Sequence, residues 1–443
     1  MSVLYLLLSV VFIVVLTARL KVHPFIALLL AAILYGLAAG MPLTQIIASV
    51  NEGFGGTLGK IGLIIILGVI IGAFLENTGG AYALAEKVLK LIGKKRVPAT
   101  MGIIGYFVSI PVFADSGFIL LSPLSKSLSK KAGISLAGSA IALSLGLTAT
   151  HTLVPPTPGP IAAAGILDAD LGLVMLIALP VSAVALIATL IFATRYAAKT
   201  YIDPNPEITA SEIETKLKTA PGALKSTLPI LVPILLIILR SVSLTYQGRI
   251  PAGVFNVINF LGEPFIALLM GMFLALLLPR KLEKEMFSTT GWVGKAVKDA
   301  ASIILITGAG GIFGQMLQDS DIADLLGNTL ANVHMSIWLP FLLAAAIKSA
   351  QGSSTVAIIT AASIMMPMME SLGFSGELQK AMVVLSIGAG SSVVSHANDS
   401  FFWVVTQLSG MDVKTGYRLQ SLGTLVLGTT AAITLYVIYL FAV

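Results

Sequence analysis

The sequence predicts an all-α polytopic membrane protein built from two inverted repeats, with about ten transmembrane helices, two re-entrant hairpins and two interrupted helices. Three observations carry this expectation. The chain of 443 residues is 56% hydrophobic and 11% charged, with a mean hydropathy of +0.96, far more apolar surface than a water-soluble fold needs. Its Lys and Arg residues cluster between apolar runs. Short stretches of the first half recur in the second at one fixed spacing.

Composition closes other routes. A net charge of +6 would suggest a nucleic-acid partner for a soluble protein, but here the basic clusters mark cytoplasmic loops, and no nucleic acid is expected. The absence of cysteine excludes disulfides and thiolate metal sites. No Walker or dinucleotide-binding pattern occurs, so neither ATP-driven transport nor a bound cofactor is expected.

Taken in order, the chain opens on an apolar run, Ser2 to Ala18, with no basic residue before it and Arg19 and Lys21 after it. This reads as a retained span and not a cleavable signal. Apolar spans are expected at Val3–Ala18, Pro24–Ala39, Ile61–Leu75 and Leu171–Ala193, and then at Leu228–Leu244, Val254–Leu278, Ser302–Leu317 and Gly423–Leu440. Between them lie two long irregular regions, Pro98–Leu167 and Ser336–Gly410. Each reads as a re-entrant hairpin (near 98–126 and 336–372) followed by one broken helix (near 134–167 and 378–410). The connection 194–227, with Asp203-Pro204-Asn205-Pro206, reads as a cytoplasmic linker between an N-terminal repeat, 1–193, and a C-terminal repeat, 228–443.

The charge rule tests this topology. With the Arg19/Lys21 loop in the cytoplasm, inside loops collect 22 of the 27 Lys and Arg, among them Lys295 and Lys298. The outside receives Lys60, Arg240, Arg249 and Lys380, and Lys348 falls in the second hairpin. Both termini then face outward from a bacterial or archaeal cytoplasmic membrane. Ala81–Arg96 and Asp319–Met335 read as amphipathic helices lying at the two interfaces.

The repeat is visible directly. Gly72-Ala73-Phe74-Leu75-Glu76-Asn77-Thr78 aligns with Gly314-Gln315-Met316-Leu317-Gln318-Asp319-Ser320, and Leu143-Ser144-Leu145-Gly146 with Leu385-Ser386-Ile387-Gly388, both at an offset of 242. The charge count gives the halves opposite orientation. Inverted repeats with paired broken helices are a transporter signature, with the solute bound near the midplane between them.

Four polar clusters fall at corresponding places. The first hairpin turns at Ser109–Gly117, where Pro111 and Gly117 are expected to break the helix and Asp115 to sit at the tip. The first broken helix is interrupted between Thr148 and Pro160, around His151 and the proline run. The second hairpin turns between Lys348 and Thr355, and the second break runs from Gly388 through Ser395-His396-Ala397-Asn398-Asp399. Irregular backbone and ionisable groups at membrane depth persist only where protein or water surrounds them, so these clusters mark a binding site. Free N–H groups at helix starts attract anions, and free carbonyls at helix ends attract cations. With the hydroxyl and amide side chains, this suits a small hydroxylated anion and a coupling cation.

Each side chain also has a structural reading. Asp115, Asn398 and Asp399 can cap helices, His151 and His396 can be satisfied structural histidines, and Lys348 can snorkel or pair with an acid. Gly308-Ala309-Gly310-Gly311 reads as tight helix packing and not a phosphate loop. An intramembrane hydrolase is disfavoured because no Gly-x-Ser-x-Gly elbow exists, and a passive channel because no ring of filter residues is evident.

At these clusters the chain resembles the gluconate permease (GntP) family, proton-coupled sugar-acid symporters of the wider ion-transporter superfamily. The matching stretches are Thr150-His151 through Pro155-Pro156-Thr157-Pro158-Gly159-Pro160, Ala350-Gln351-Gly352-Ser353-Ser354-Thr355-Val356-Ala357, and Gly388-Ala389-Gly390-Ser391 through Ser395-His396-Ala397-Asn398-Asp399. The resemblance covers nearly the whole chain. It implies a homodimer in the bilayer, with a scaffold and an elevator-like transport domain that holds both hairpins and both broken helices. One departure stands out: this chain has Asp115-Ser116-Gly117 where gluconate members often have a Glu-Val-Gly type sequence. The family also includes carriers of other sugar acids and of D-serine, and a smaller hydroxy acid such as glycerate fits the same expectation.

The expected activity is therefore import of gluconate or a related sugar acid with protons, without enzymatic chemistry. The expected substrate-binding set is Asp115, Ser116, Gly117, Thr150, His151, Lys348, Gln351, Gly352, Ser353, Ser354, His396, Asn398 and Asp399. Proton coupling falls first to Asp115, then to Asp399, His151 and His396, because a group alternating between water and a desolvated pocket changes its proton affinity. A sodium-coupled carboxylate carrier of the same fold is the alternative, with Na⁺ held by hairpin-tip carbonyls and hydroxyls in place of proton coupling.

Overall fold

In the protein's structure, a computed structural model, residues 2–92, 96–204, 220–320 and 336–442 are described. All regular structure among them is helical. The first half runs α1 (Ser2–Val14), α2 (Pro24–Ala38), α3 (Leu43–Asn77), α4 (Gly80–Ile92), α5 (Val97–Val108), α6 (Ala114–Ala132), α7 (Leu136–Leu153), α8 (Pro158–Ile166) and α9 (Leu171–Arg195). The second runs α10 (Ala223–Thr245), α11 (Ala252–Leu261), α12 (Pro264–Ala275), α13 (Trp292–Gln318), α14 (Trp338–Gln351), α15 (Ser354–Met365), α16 (Glu377–Ser392), α17 (Ser400–Leu408) and α18 (Val413–Ala442), the last with a π-turn at Tyr417–Ser421.

Among the described residues, six segments are long and apolar enough to cross a membrane, and the bent pair α11–α12 makes a seventh. This is a multi-pass membrane protein. Several spans differ from expectation. The stretch 254–278 is not one rod: it bends by 63° where Gly262 ends α11 and Pro264 starts α12, a proline that cannot continue the preceding helix. The span at 61–75 is the apolar part of a 35-residue helix, and the span at 302–317 starts ten residues early, at Trp292. Lys295 and Lys298 therefore stand on α13 and not in a loop. The segment 81–96, expected to lie at an interface, is largely the helix α4. Residues 321–335 of its acidic counterpart, and residues 205–219 of the linker, lie outside the described set.

α8 recurs as α17, and the start of α9 as that of α18, 242 residues later, and other helices overlap their counterparts near that offset. α5, α6, α7, α8 and α9 correspond in order to α14, α15, α16, α17 and α18, and α3 to α13. The local chemistry recurs as well. Asp170 caps α9 by accepting from Leu173 N at 2.7 Å, and Asp412 caps α18 by accepting from Thr415 N at 2.9 Å. Two residues earlier, Asp168 and Gly410 both take positive φ, 53° and 66°.

Packing follows the same pairing. α2 packs on α13 as α12 packs on α3, α5 on α7 as α14 on α16, and α8 on α15 as α17 on α6. α3 packs directly on its own counterpart α13, and the two run antiparallel: Ser49 Oγ donates to Asp319 Oδ2 at 2.6 Å, while further along α3 Gly53 abuts Gly311 and Ile312. In lipid there is little hydrophobic gain in joining two apolar helices, so such contacts depend on small residues that let backbones approach. A Cβ at Gly53 would lie 2.6 Å from Gly311 O, and one at Gly308 2.4 Å from the Phe54 ring. The glycine run at 308–311 is thus a helix seam.

Gly53→Val should loosen this seam by roughly 1–3 kcal/mol, the usual cost of overpacking. Gly56→Ala, three residues on and facing open space, should be neutral or stabilising by about 0.5–1 kcal/mol. Unfolding midpoints of the purified protein in detergent check both: the first falls and the second does not.

Candidate functional site

The four predicted irregular places are all breaks in the helices, and each is shorter than the sequence suggests. Hairpin 1 turns between α5 and α6, around Pro111. Gly117 is not a breaker. It lies inside α6, where its N–H bonds Phe113 O at 2.8 Å and a Cβ would meet Leu147 at 2.6 Å. The first break is only residues 154–157. Pro158 and Pro160 sit in the first turn of α8, where a missing N–H costs nothing. Hairpin 2 turns on Gly352 and Ser353 alone. The second break is residues 393–399, because Gly388 and Gly390 are helical and close-packed on Thr152 O and Phe341 O.

Hairpin 2 and the second break are bound to each other. Lys348, in the last turn of α14, is 2% exposed and reaches Asp399 Oδ2 at 2.6 Å, and its ammonium also donates to Gly352 O. Asp399 is fully engaged: Ser395 Oγ donates to the same oxygen, and Oδ1 accepts from Phe401 N at 3.0 Å as the N-cap of α17. Behind this pair, Asn398 Nδ2 donates to Ser349 O at 2.9 Å. His396 Nε2 is 2.8 Å from the same carbonyl, which requires the Nε2–H tautomer. Gly352 has φ 95°, and a Cβ there would lie 2.2 Å from Asn398 O. Only glycine allows the two breaks to meet this closely.

Hairpin 1 brings a different group. Asp115 is the second residue of α6 and does not cap it; the N-cap is Phe113, which makes no side-chain bond. Asp115 Oδ1 is buried without a hydrogen-bond partner, at a helix N-terminus that favours negative charge. His151, in the last turn of α7, lies against the Phe113 ring with centroids 6.2 Å apart, and its Nδ1 is likewise unpartnered.

These groups share one cavity of about 450 Å³. Of the expected residues, Asp115, His151, Lys348, Ser353, Ser354 and Asp399 line it. Gln351, Gly352, His396 and Asn398 do not line it; they tie the hairpin tip to the break, with Gln351 Nε2 donating to Ser353 O. Ser116, Gly117 and Thr150 are also absent from its lining. Ser116 is one helical step, about 100°, round from Asp115. Thr150 is buried and donates to Tyr106 O at 3.0 Å.

Further lining residues had no place in the expected set: Thr148, Ser392, Ser395 and Thr424, and Lys298, Asp299 and Ser302 of α13. Thr148 was findable, since it lies three residues before His151 on the same helix face. The α13 wall was not, because nothing local in its sequence tells a pore wall from a loop.

A family model for GntP family permeases matches residues 1–441. The chain belongs to this family. It is 37% identical to a gluconate permease of Pseudomonas aeruginosa over 425 residues, covering 93% of this chain and 92% of the relative. It is 32% identical to the D-serine transporter DsdX of Escherichia coli, covering 96% and 95%. Among solved structures it is similar to Neisseria gonorrhoeae MtrF, described with a class of antimetabolite efflux pumps, with a TM-score of 0.69 at 14% identity and 97% of each chain covered. At that identity the likeness concerns the fold alone. As a GntP permease, the protein is a carrier and not an enzyme.

Removing one partner of the buried pair strands a charge, a loss of about 3–5 kcal/mol. Lys348→Met and Asp399→Leu should each lower the unfolding midpoint, and the double variant should lose clearly less than the sum of the two. Additive losses would mean that the pair is not coupled.

Proposed function

We propose that this GntP permease imports gluconate or a closely related sugar acid or small hydroxy acid together with protons. The observation that carries this reading is the cavity itself. It holds an unpartnered carboxyl, Asp115, and a lysine, Lys348, already matched to Asp399, among many hydroxyls. Hydroxyl side chains and the starts of α6, α15 and α17 suit a hydroxylated carboxylate. A volume of about 450 Å³ is within the range of small-ligand sites. Asp115 is the proton carrier in this scheme, with Asp399, His151 and His396 behind it. The gluconate permeases among its relatives favour a sugar acid; the D-serine carrier marks the other substrate class to test.

The architecture proposed with it is two inverted repeats, 1–193 and 228–443, with both termini outside and the linker in the cytoplasm. The fixed offset, the antiparallel α3–α13 pair and the charge bias support this. The hairpins and broken helices form a transport unit that slides on α3 and α13, in a homodimer anchored in the inner membrane.

In proteoliposomes, an inward acid gradient should drive gluconate uptake, while a Na⁺ gradient alone should not. Asp115→Asn should abolish the response to the pH gradient while the unfolding midpoint stays within a few degrees. Undiminished acid-driven uptake in that variant removes Asp115 from the role. Uptake driven by Na⁺ alone replaces the proton with sodium, and preference for D-serine replaces the sugar acid.

A further inference from the structure

The repeats match in their elements but not in how they meet the α3–α13 pair. α8 packs on α3 and α15 packs on α13, whereas the corresponding pairs, α17 with α13 and α6 with α3, make no comparable packing. The glycines at the seam show the same offset. Gly314 on α13 faces Ser363 and Met366, deep along hairpin 2. Its counterpart Gly72 on α3 faces Pro111, at the tip of hairpin 1. The counterpart of Pro111 is Ser353, which instead lines the open cavity. One hairpin is thus seated about ten residues further along its wall than the other, roughly 15 Å of helix.

Two cavities mirror this difference. The large cavity uses Ser302, Ile303 and Ile306 of α13 as its wall. A second cavity, of about 420 Å³ on the Asp168 side, uses Lys60, Ile61 and Ile64 of α3, the residues 242 positions earlier. There Lys60 Nζ pairs with Asp168 Oδ1 at 2.8 Å, and Lys380 Nζ bonds Asp168 O at 3.3 Å. The acid stands in the loop between α8 and α9, so the ion pair spans the contact between the wall and the α8 side of the transport unit.

We propose that Lys60 is a substrate-contacting residue of the opposite-facing state, where it takes the place that Ser302 holds here, and that its ion pair with Asp168 holds the present state. If the two repeats exchange their registers against α3 and α13, the Lys60 face becomes the wall of the occupied site. The ammonium is then released from Asp168 and free to meet the carboxylate of a sugar acid arriving from that side. The opposite wall already has its own cation at the cavity, Lys298, one turn from Ser302. Each side of the membrane would thus present one lysine to the anion. This rests on the sliding transport unit proposed above.

The chain contains no cysteine, so single cysteines report directly. Val112 is 3% exposed, and its counterpart Ser354 lines the open cavity. In oriented membrane vesicles, Ser354→Cys should react with an impermeant maleimide from the Lys298 side and Val112→Cys only slowly from the Asp168 side. Adding Asp168→Asn or Lys60→Ala to Val112→Cys should raise its labelling several-fold, because both substitutions break the pair. Gluconate uptake from the Asp168 side then separates the two: half-saturation should be roughly tenfold higher in Lys60→Ala than in Asp168→Asn, the loss of one charge-assisted hydrogen bond. Equal half-saturation in the two variants overturns contact between Lys60 and the substrate. Unchanged Val112→Cys labelling in Asp168→Asn overturns the lock. Failure of that sliding motion looks different: Val112→Cys would then stay unreactive in every background, even with gluconate present.

Discussion

The Lys348–Asp399 ion pair is the contact on which the rest of the site depends. A charged pair at 2.6 Å, almost without exposure, is stable only if its remaining valences are filled, and here they are: by Gly352 O, Ser395 Oγ and Phe401 N. That requirement brings a hairpin tip and a broken helix together. It forces glycine at 352, where any side chain would strike Asn398 O, and it turns Asn398 and His396 onto Ser349 O. Two interruptions that would each be costly in lipid satisfy each other, and the cavity lies in front of them.

The first half of the chain has a matching order of helices without that chemistry. Tyr106 stands where Lys348 does, Thr157 where Asp399 does, and Ala357 occupies the position of Asp115. Tyr106 OH meets Ser182 Oγ at 2.8 Å, and Thr157 Oγ1 closes its own break by donating to Val154 O at 2.7 Å. The recurring helix order supplies an opening of the backbone in each half, but these charges occur once. Paired cation and acid sit on one side and an unpaired acid on the other. The two sets of breaks therefore carry one buried ion pair instead of two equivalent ones.

Much of this was legible in the sequence, because the signals are strong and local. Apolar length marks the spans, α2 and α9 start at Pro24 and Leu171 as expected, and an offset of 242 survives in a few identical residues. Helices end within each of the four expected stretches, but over fewer residues than expected, since proline and glycine read as breakers wherever they occur. Pro158 and Pro160 are harmless in a first turn, and Gly117 and Gly388 are seats for neighbouring atoms. Single-letter pattern cannot tell those uses apart. The bend at Gly262 was missed because hydropathy runs on through it. Thr150 looked like a ligand because it neighbours His151, yet helix geometry turns it to Tyr106 O. The α13 wall was invisible for a different reason: Lys298, Asp299 and Ser302 join the site only through tertiary packing.

The central claim is that one cavity, built from both halves of the chain, receives the acid. Its most direct test is ligand protection of one cysteine from each half, Thr148→Cys on α7 and Ser400→Cys on α17, both lining the cavity. In a chain with no native cysteine, gluconate should slow maleimide labelling at both positions with the same concentration dependence. Protection of only one of them, or of neither while gluconate is still transported, would contradict the account.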